Sequence, residues 1–142
     1  MGITATIYAC KPGTHEVGPM LEVLDLDKYW HGLHYLLCGS NERNTEISSF
    51  ILRGTEIAGA SDAEVFLHEP AEVECFNGWL KNKTIENLRA QYNVKQMAKM
   101  SIYGNFEENE SDLNSLLEKF GELKEFVNVH AKNGNELLVV IC

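Results

Sequence analysis

The apolar run at residues 137–141 constrains the fold of this chain more than any other stretch. Its sequence, Leu-Leu-Val-Val-Ile, is continuously apolar, which is typical of a strand buried on both faces. Such a strand needs neighbours. Residues 3–9 alternate apolar and other side chains with a period of two, which predicts a second strand near the start of the chain. We therefore predict a sheet that contains strands from both ends of the chain.

Between these strands, several segments carry apolar residues at helical spacing and are bounded by capping or helix-breaking residues. The predicted helices cover residues 25–39, 47–52, 70–80, 84–92, 94–100 and a long segment from Ser111 or Asp112 to Asn133. Residues 54–63 predict a loop, and residues 65–67 a short buried strand. The expected fold is α+β: a single domain over residues 1–142, in which a small mixed β-sheet including the N- and C-terminal strands packs against several helices.

The segment at 25–39 has the clearest helix signals. Asp25 or Asp27 is predicted to cap its N-terminus, and Gly39 suits a left-handed C-terminal cap. Between the caps, residues at helical spacing form one wide apolar face, which we expect to lie in the core. They are Leu26, Tyr29, Trp30, Leu33, Leu36 and Leu37.

A second, narrower stripe on the same predicted helix consists of Asp27, His31, His34 and Cys38. At about 100° per residue, these four positions fall within an arc of roughly 60°. Zinc accepts all of these ligand types, but four ligands along one straight helix cannot surround a single ion. The sequence therefore predicts no metal site here.

Six residues in and near this segment are candidate binding residues: Asp27, Lys28, Trp30, His31, His34 and Tyr103. Trp30 either packs in the core or lines a pocket. His34 is either a buried histidine, bonded to Asp27, Tyr103 or a backbone carbonyl, or a binding or acid–base group. Asp27 and Lys28 are either a cap and a surface charge or a small polar site at the mouth of a cleft.

The net charge of −9 narrows the range of partners. Residues 41–80 and 100–142 each carry eight acids, whereas residues 81–99 carry five bases and one acid. A strongly acidic chain is a poor match for nucleic acid, because that binding depends on neutralising phosphates. The composition instead fits either a solvated acidic surface that keeps the protein soluble or a basic protein partner. The candidate partner surface contains Glu69, Glu72 and Glu74.

Cysteine usage and the start of the chain predict a cytoplasmic protein. Cys10, Cys38, Cys75 and Cys142 lie far apart without a C-x-x-C pair, which is typical of reduced thiols. The first residues lack a basic segment followed by a long apolar run, so we expect no signal peptide. No stretch approaches the roughly 20 apolar residues of a membrane span.

The sequence contains none of the common catalytic or cofactor motifs. There is no G-x-S-x-G, no P-loop and no G-x-G-x-x-G. We accordingly predict no catalytic residue and no bound cofactor. The absence of these motifs favours a protein that is not an enzyme.

Asp-Lys-x-Trp at 27–30, Leu-His at 33–34 and Leu-x-Gly at 37–39 resemble the central motif of the YfbM-like family, a bacterial domain of unknown function. Further matches are Leu88-Arg89-x-Gln91-Tyr92, Met100-x-Ile102-Tyr103 and Gly134-Asn135 leading into residues 138–141. The resemblance extends from near residue 24 to the C-terminus. It implies an α+β fold with a small sheet and packed helices, and it implies no reaction.

The chain departs from the family pattern at three places. Cys38 stands where the family has threonine, and the proline expected after Tyr103 is absent. The segment between the first strand and the motif is short, where the resemblance leads us to expect a helical stretch. These differences bear on one wall of any cleft.

Two functions fit these observations. The first is a non-enzymatic binding protein that engages a partner through its acidic surface, for which a toxin-neutralising immunity protein is a concrete version. The second is a small-ligand binder or an enzyme with its site around Trp30 and His34. A deep pocket that exposes His34 would favour the second function.

Overall fold

The fold is built on a single sheet. The computed structural model describes residues 2–15, 18–41, 46–57 and 63–142. The strands are β1 (Ala5–Cys10), β2 (Glu22–Asp27), β3 (Thr55–Ile57), β4 (Glu64–His68) and β5 (Glu136–Ile141). They form one sheet in the order β2-β1-β5-β4-β3, and all four pairings are antiparallel. The predicted α+β class with both terminal strands in the sheet is confirmed, although the sheet is antiparallel throughout rather than mixed.

β5 is the central strand, as its apolar run predicts. It pairs with β1 on one side, where Ile7 lies opposite Val139, and with β4 on the other, where Phe66 lies opposite the same residue. Its side chains are buried on both faces of the sheet, except for the half-buried Val140. β5 therefore joins the two outer pairs of strands into one sheet.

The helices cover one face of this sheet. They are α1 (Trp30–Cys38), a 3-10 helix (Ile47–Leu52), α2 (Pro70–Leu80), α3 (Ile85–Gln91), α4 (Val94–Lys99) and α5 (Glu110–Lys132). α5 packs against α2 and β2, and α2 also contacts β5. The main core lies between these layers, and Ile7, Leu33, Phe76, Leu116 and Leu123 are fully buried in it. None of the helices in the described ranges is long and apolar enough to cross a membrane.

The start of α1 differs from the prediction. Asp25 and Asp27 do not cap a helix, because they belong to β2, whose alternate residues Leu24 and Leu26 point into the core while the two aspartates are exposed. The helix begins at Trp30 without a side-chain cap. Leu-Asp-Leu-Asp fits the period of a strand as well as it fits a helix start, and pairing with β1 decides the matter.

The predicted helix ends agree better with the structure. Gly39 adopts the left-handed conformation, with φ of 73°, and its N–H donates to the carbonyl of Tyr35. Thr84 caps α3 in a capping box with Asn87. The prediction for α5 was wrong by about two residues, because Asn109 is the N-cap and its side chain accepts from Asp112 N–H at 2.8 Å.

The loop predicted at 54–63 is only partly a loop. Residues 55–57 form β3, which pairs with β4 and places Glu56 opposite Phe66. Three residues with one apolar side chain are too short to give a periodic signal, which is why the sequence did not predict this edge strand. Residues 58–62 lie outside the described part of the chain.

Candidate functional site

Trp30 is a packing residue that holds the N-terminal segment. It is 8% exposed, and its indole N–H donates to the carbonyl of Ile3 at 3.0 Å. Its ring stacks on Tyr103, with centroids 6.1 Å apart, and the Tyr103 hydroxyl accepts from the N–H of Ile3 at 2.7 Å. Trp30 and Tyr103 thus clamp Ile3, two residues before β1, and Trp30 is not among the residues that line the grooves described below.

His31 joins three segments of the chain. Its Nδ1 accepts from the N–H of Tyr103 at 2.8 Å, so this nitrogen carries no hydrogen, and Nε2 donates to the carbonyl of Asn41 at 2.9 Å. The Asn41 side chain in turn donates to the carbonyl of Met100 at 2.7 Å. Both ring nitrogens of His31 are therefore occupied in fixing the segment at residues 100–103 against α1.

His34 is fully buried, so the exposed pocket that a site around this residue requires is not formed. The thiol of Cys38, one helical turn away, lies 3.4 Å from Nε2 of His34. Burial raises the pKa of the Cys38 thiol above its ordinary value, which disfavours the reactive thiolate. The histidine and the thiol form a part-buried polar contact rather than an activated nucleophile.

The predicted stripe of four metal-ligand types is not formed, because Asp27 belongs to β2 and not to α1. Within the described residues, no group of three or more histidine, cysteine, aspartate and glutamate side chains is placed to hold a metal ion. Three of the four candidate ligands, His31, His34 and Cys38, remain on α1. The argument that ligands on one face of a helix cannot surround a zinc ion therefore applies to these three.

A groove of about 860 Å³ lies beside the candidate residues rather than among them. It is lined by Lys28, by Val94, Met97 and Ala98 of α4, and by residues 101–107. We term it the Lys28 groove. Of the six predicted binding residues, Lys28 and Tyr103 line it. Trp30 and His31 contact Tyr103 from within, His34 stacks on His31, and Asp27 is the exposed last residue of β2.

The backbone around the Lys28 groove is unusual. Among the described residues, the three non-glycine residues with positive φ are Asp27, Ser101 and Asn105. Ser101 and Asn105 line the groove, and Asp27 precedes Lys28. Such conformations cost free energy and tend to occur where the fold must hold a functional surface in shape.

Phe106 fixes one wall of the groove against α1. A side chain at Gly104 would lie 2.7 Å from the Phe106 ring, and one at Gly32 would lie 2.5 Å from it. The ring therefore fits between two glycines, and the wall of the groove is set by packing. In the sequence, this segment is marked by a break in the helical pattern at residues 103–105. Such a break predicts a turn, but it does not predict a groove.

The rim of the groove is acidic near α3. The hydroxyl of Tyr92 donates to the carbonyl of Glu107 at 2.6 Å. Burial, followed by the carboxylates of Asp112, Glu107 and Glu108, raises the pKa of Tyr92 to about 12. The electrostatic potential at this edge of the groove is therefore negative. Lys28, which precedes the other lining residues in the chain, supplies one positive charge.

The three candidate partner residues on and before α2 have different environments. Glu69 and Glu74 are exposed, whereas Glu72 is half-buried and its carboxylate lies 3.5 Å from Nδ1 of His68. His68 is fully buried and stacks on Phe50 with centroids 3.8 Å apart. Two of the three carboxylates are thus available to a partner.

His68 should make stability depend on pH. Among the described residues neither ring nitrogen has a well-formed hydrogen bond, and the nearest carboxylate oxygen, of Glu72, lies 3.5 Å from Nδ1. Burial lowers the pKa of His68 below the ordinary 6.5, although the Glu72 carboxylate opposes this shift. The unfolded chain therefore takes up a proton from about pH 6.5 downward while the folded protein does not, so stability falls as pH falls.

Urea unfolding at about pH 7 and about pH 5.5 tests this linkage, which is limited to about 1.4 kcal/mol per pH unit for one group. The fall in stability should be smaller in His68→Leu, which removes the titrating ring and leaves every other histidine in place. Equal falls in the two proteins would contradict the assignment.

The comparisons with known proteins identify the family. A family model described as a domain of unknown function, DUF1877, matches residues 11–140, and the chain belongs to this family. The chain is also similar to the crystal structure of YfbM, a protein of unknown function from Escherichia coli. The TM-score is 0.79 at 19% identity, over 98% of this chain and 99% of the other. This likeness shows the fold alone. No curated protein matches the chain.

Proposed function

We propose that this protein is a non-enzymatic binding protein and that the Lys28 groove takes an apolar segment, flanked by basic residues, of a protein partner. The observation that carries the proposal is the combination of apolar side chains in the lining with carboxylates at and beside one end of it. Val94, Met97, Phe106 and Glu107 line the groove, and Glu108 lines a neighbouring pocket that shares Val94. An apolar side chain with a neighbouring lysine or arginine complements both features.

The preformed backbone supports the same reading. Ser101 and Asn105 already hold left-handed conformations, and His31 already fixes the segment that carries them. A groove that is ordered before binding saves the entropy of ordering on association. The raised pKa of Cys38 and the full burial of His34 give no support to catalysis at this end of the molecule.

A displayed library of short peptides tests the proposal. Selected sequences should combine an apolar residue with lysine or arginine, and association should slow as salt rises, because exposed charges are screened over about 8 Å at 0.15 M. The double variant Glu107→Lys with Glu108→Lys should slow association of a selected peptide by about tenfold or more.

The matched control is the double variant Glu69→Lys with Glu74→Lys, which makes the same change of charge on exposed residues before and on α2. It should leave association nearly unchanged. If the control slows association and the groove variant does not, the partner binds the α2 surface and the groove proposal is wrong. Selection of acidic peptides, or an association rate that ignores salt, would also contradict the proposal.

A further inference from the structure

A second groove lies between α2 and α5, and its lining contains more positive than negative side chains. It has a volume of about 470 Å³, and its lining includes Lys81, Lys124, Lys132 and the amides Asn77 and Asn128. An adjoining groove of about 450 Å³ shares Asn77, Lys81 and Lys132. We term the joined space the lysine groove. Three lysine side chains thus line one depression of a protein whose net charge is −9.

These lysines are not used in ion pairs. Over the described ranges, the lysine and arginine ion pairs are Arg89 with Glu110 and Lys119 with Glu122. The Lys124 ammonium donates one hydrogen bond, to the carbonyl of Lys83 at 2.6 Å, and lies 5.5 Å from the centroid of the Phe120 ring. An ammonium group has three donors, so this contact and this bond leave it two further donors. Glu125 and Glu74 also line the space, but the three lysines outnumber them.

Two buried or half-buried amides lie with the lysines. Asn77 is 7% exposed, and its side-chain N–H donates to the side-chain oxygen of Asn128 at 3.5 Å, which is long for such a bond. Primary amides and ammonium groups are both hydrogen-bond donors to oxyanions. The groove therefore offers several donors and a positive charge at the same place.

Two glycines within helices open the same space. Gly78 lies in α2 and Gly121 in α5, where glycine destabilises a helix relative to alanine. A Cβ at either position would meet no atom within 4 Å, so packing in the free protein does not require them. Close approach of a ligand to the helix backbone is a reason for glycine that does not depend on packing.

We propose that the lysine groove binds the phosphate groups of a small multivalent phosphate compound through Lys81, Lys124 and Lys132. A single carboxylate would leave most of this positive charge unneutralised, whereas a diphosphate or triphosphate carries enough charge to engage all three lysines. This site is separate from the Lys28 groove, and neither proposal depends on the other.

The competing structural role for two of these lysines is stabilisation of helix C-termini. Lys81 follows the end of α2 and Lys132 ends α5, and cations are favourable at both positions. That role predicts a loss of stability on substitution and no ligand binding. The test therefore needs a binding measurement beside a stability measurement.

Titration calorimetry with inorganic pyrophosphate at about 0.15 M ionic strength is the decisive experiment. Saturable binding is expected, and the double variant Lys81→Gln with Lys132→Gln should weaken it by about tenfold or more. The matched double variant Lys95→Gln with Lys99→Gln, on exposed residues of α4, removes the same charge and should bind almost as tightly as the unaltered protein.

Gly121→Leu supplies an independent steric test, because its side chain would enter the groove while leucine favours the helix more than glycine does. It should reduce pyrophosphate affinity without lowering the unfolding temperature. Inorganic phosphate and a nucleoside triphosphate, titrated in parallel, distinguish recognition of phosphate groups alone from recognition of an attached organic moiety. Absence of saturable pyrophosphate binding, or equal weakening in the two lysine variants, would overturn the proposal.

Discussion

Replacing Trp30 by alanine is expected to lower the free energy of unfolding by about 3–5 kcal/mol. The substitution leaves a large cavity beside α1, because the ring is 8% exposed and stacks on His31 and Tyr103. It also removes the hydrogen bond that the indole donates to the carbonyl of Ile3. Urea unfolding followed by circular dichroism measures the change.

Two controls separate the contributions of Trp30. Trp30→Phe keeps most of the ring and loses the hydrogen bond, so it should cost about 1–2 kcal/mol. Trp79→Ala removes a half-buried tryptophan that lies under Lys83, and it should cost less than Trp30→Ala. A loss below about 1 kcal/mol for Trp30→Ala would show that this residue is not part of the core.

The second large effect is expected at Glu136, the first residue of β5. Its carboxylate is almost fully buried and accepts from the N–H of Gly13 at 2.6 Å. The same carboxylate accepts from the N–H of His15 at 3.2 Å and contacts Nδ1 of that ring at 2.7 Å. Because a carboxylate only accepts, Nδ1 of His15 carries the hydrogen.

Glu136→Ala should therefore destabilise the protein by about 2–4 kcal/mol, since hydrogen bonds to a charged group contribute about 1.5–3 kcal/mol and the abandoned donors are only partly rehydrated. Glu136→Gln keeps one acceptor and should cost less. Glu56→Ala, at an exposed glutamate of β3, is the matched control and should stay within about 0.5 kcal/mol of the unaltered protein. Equal unfolding curves for Glu136→Ala and Glu56→Ala would disprove this role.

Sequence reasoning was correct for elements whose residue pattern is compatible with only one type of secondary structure. The continuous apolar run of β5 and the alternation in β1 predicted the pairing of these two strands. Gly39 predicted the C-terminus of α1, and Thr84 predicted the N-terminus of α3. β2 was missed because Asp25 and Asp27 fit both a helix cap and the outward positions of a strand. Local residue preference does not distinguish these two cases; pairing with β1 does.

The two grooves were beyond sequence reasoning for different physical reasons. The Lys28 groove depends on left-handed Ser101 and Asn105; serine adopts this conformation rarely, and asparagine more often but still in a minority of cases, so neither residue type predicts it. The lysine groove brings Lys81 close to Lys124 and Lys132. In the chain, all of α3 and α4 and most of α5 lie between Lys81 and these two lysines. Only the packing of α2 on α5 brings these charges together.

The position of β5 also has a consequence for synthesis. Every other described element precedes β5 in the chain, yet β5 lies between β1 and β4. While the chain emerges from the ribosome, the β2–β1 and β4–β3 hairpins therefore each keep an open edge until residue 141 has left the exit tunnel. Closure of the sheet is a late and non-local step, and a nascent chain released before it would offer both edges to other polypeptides.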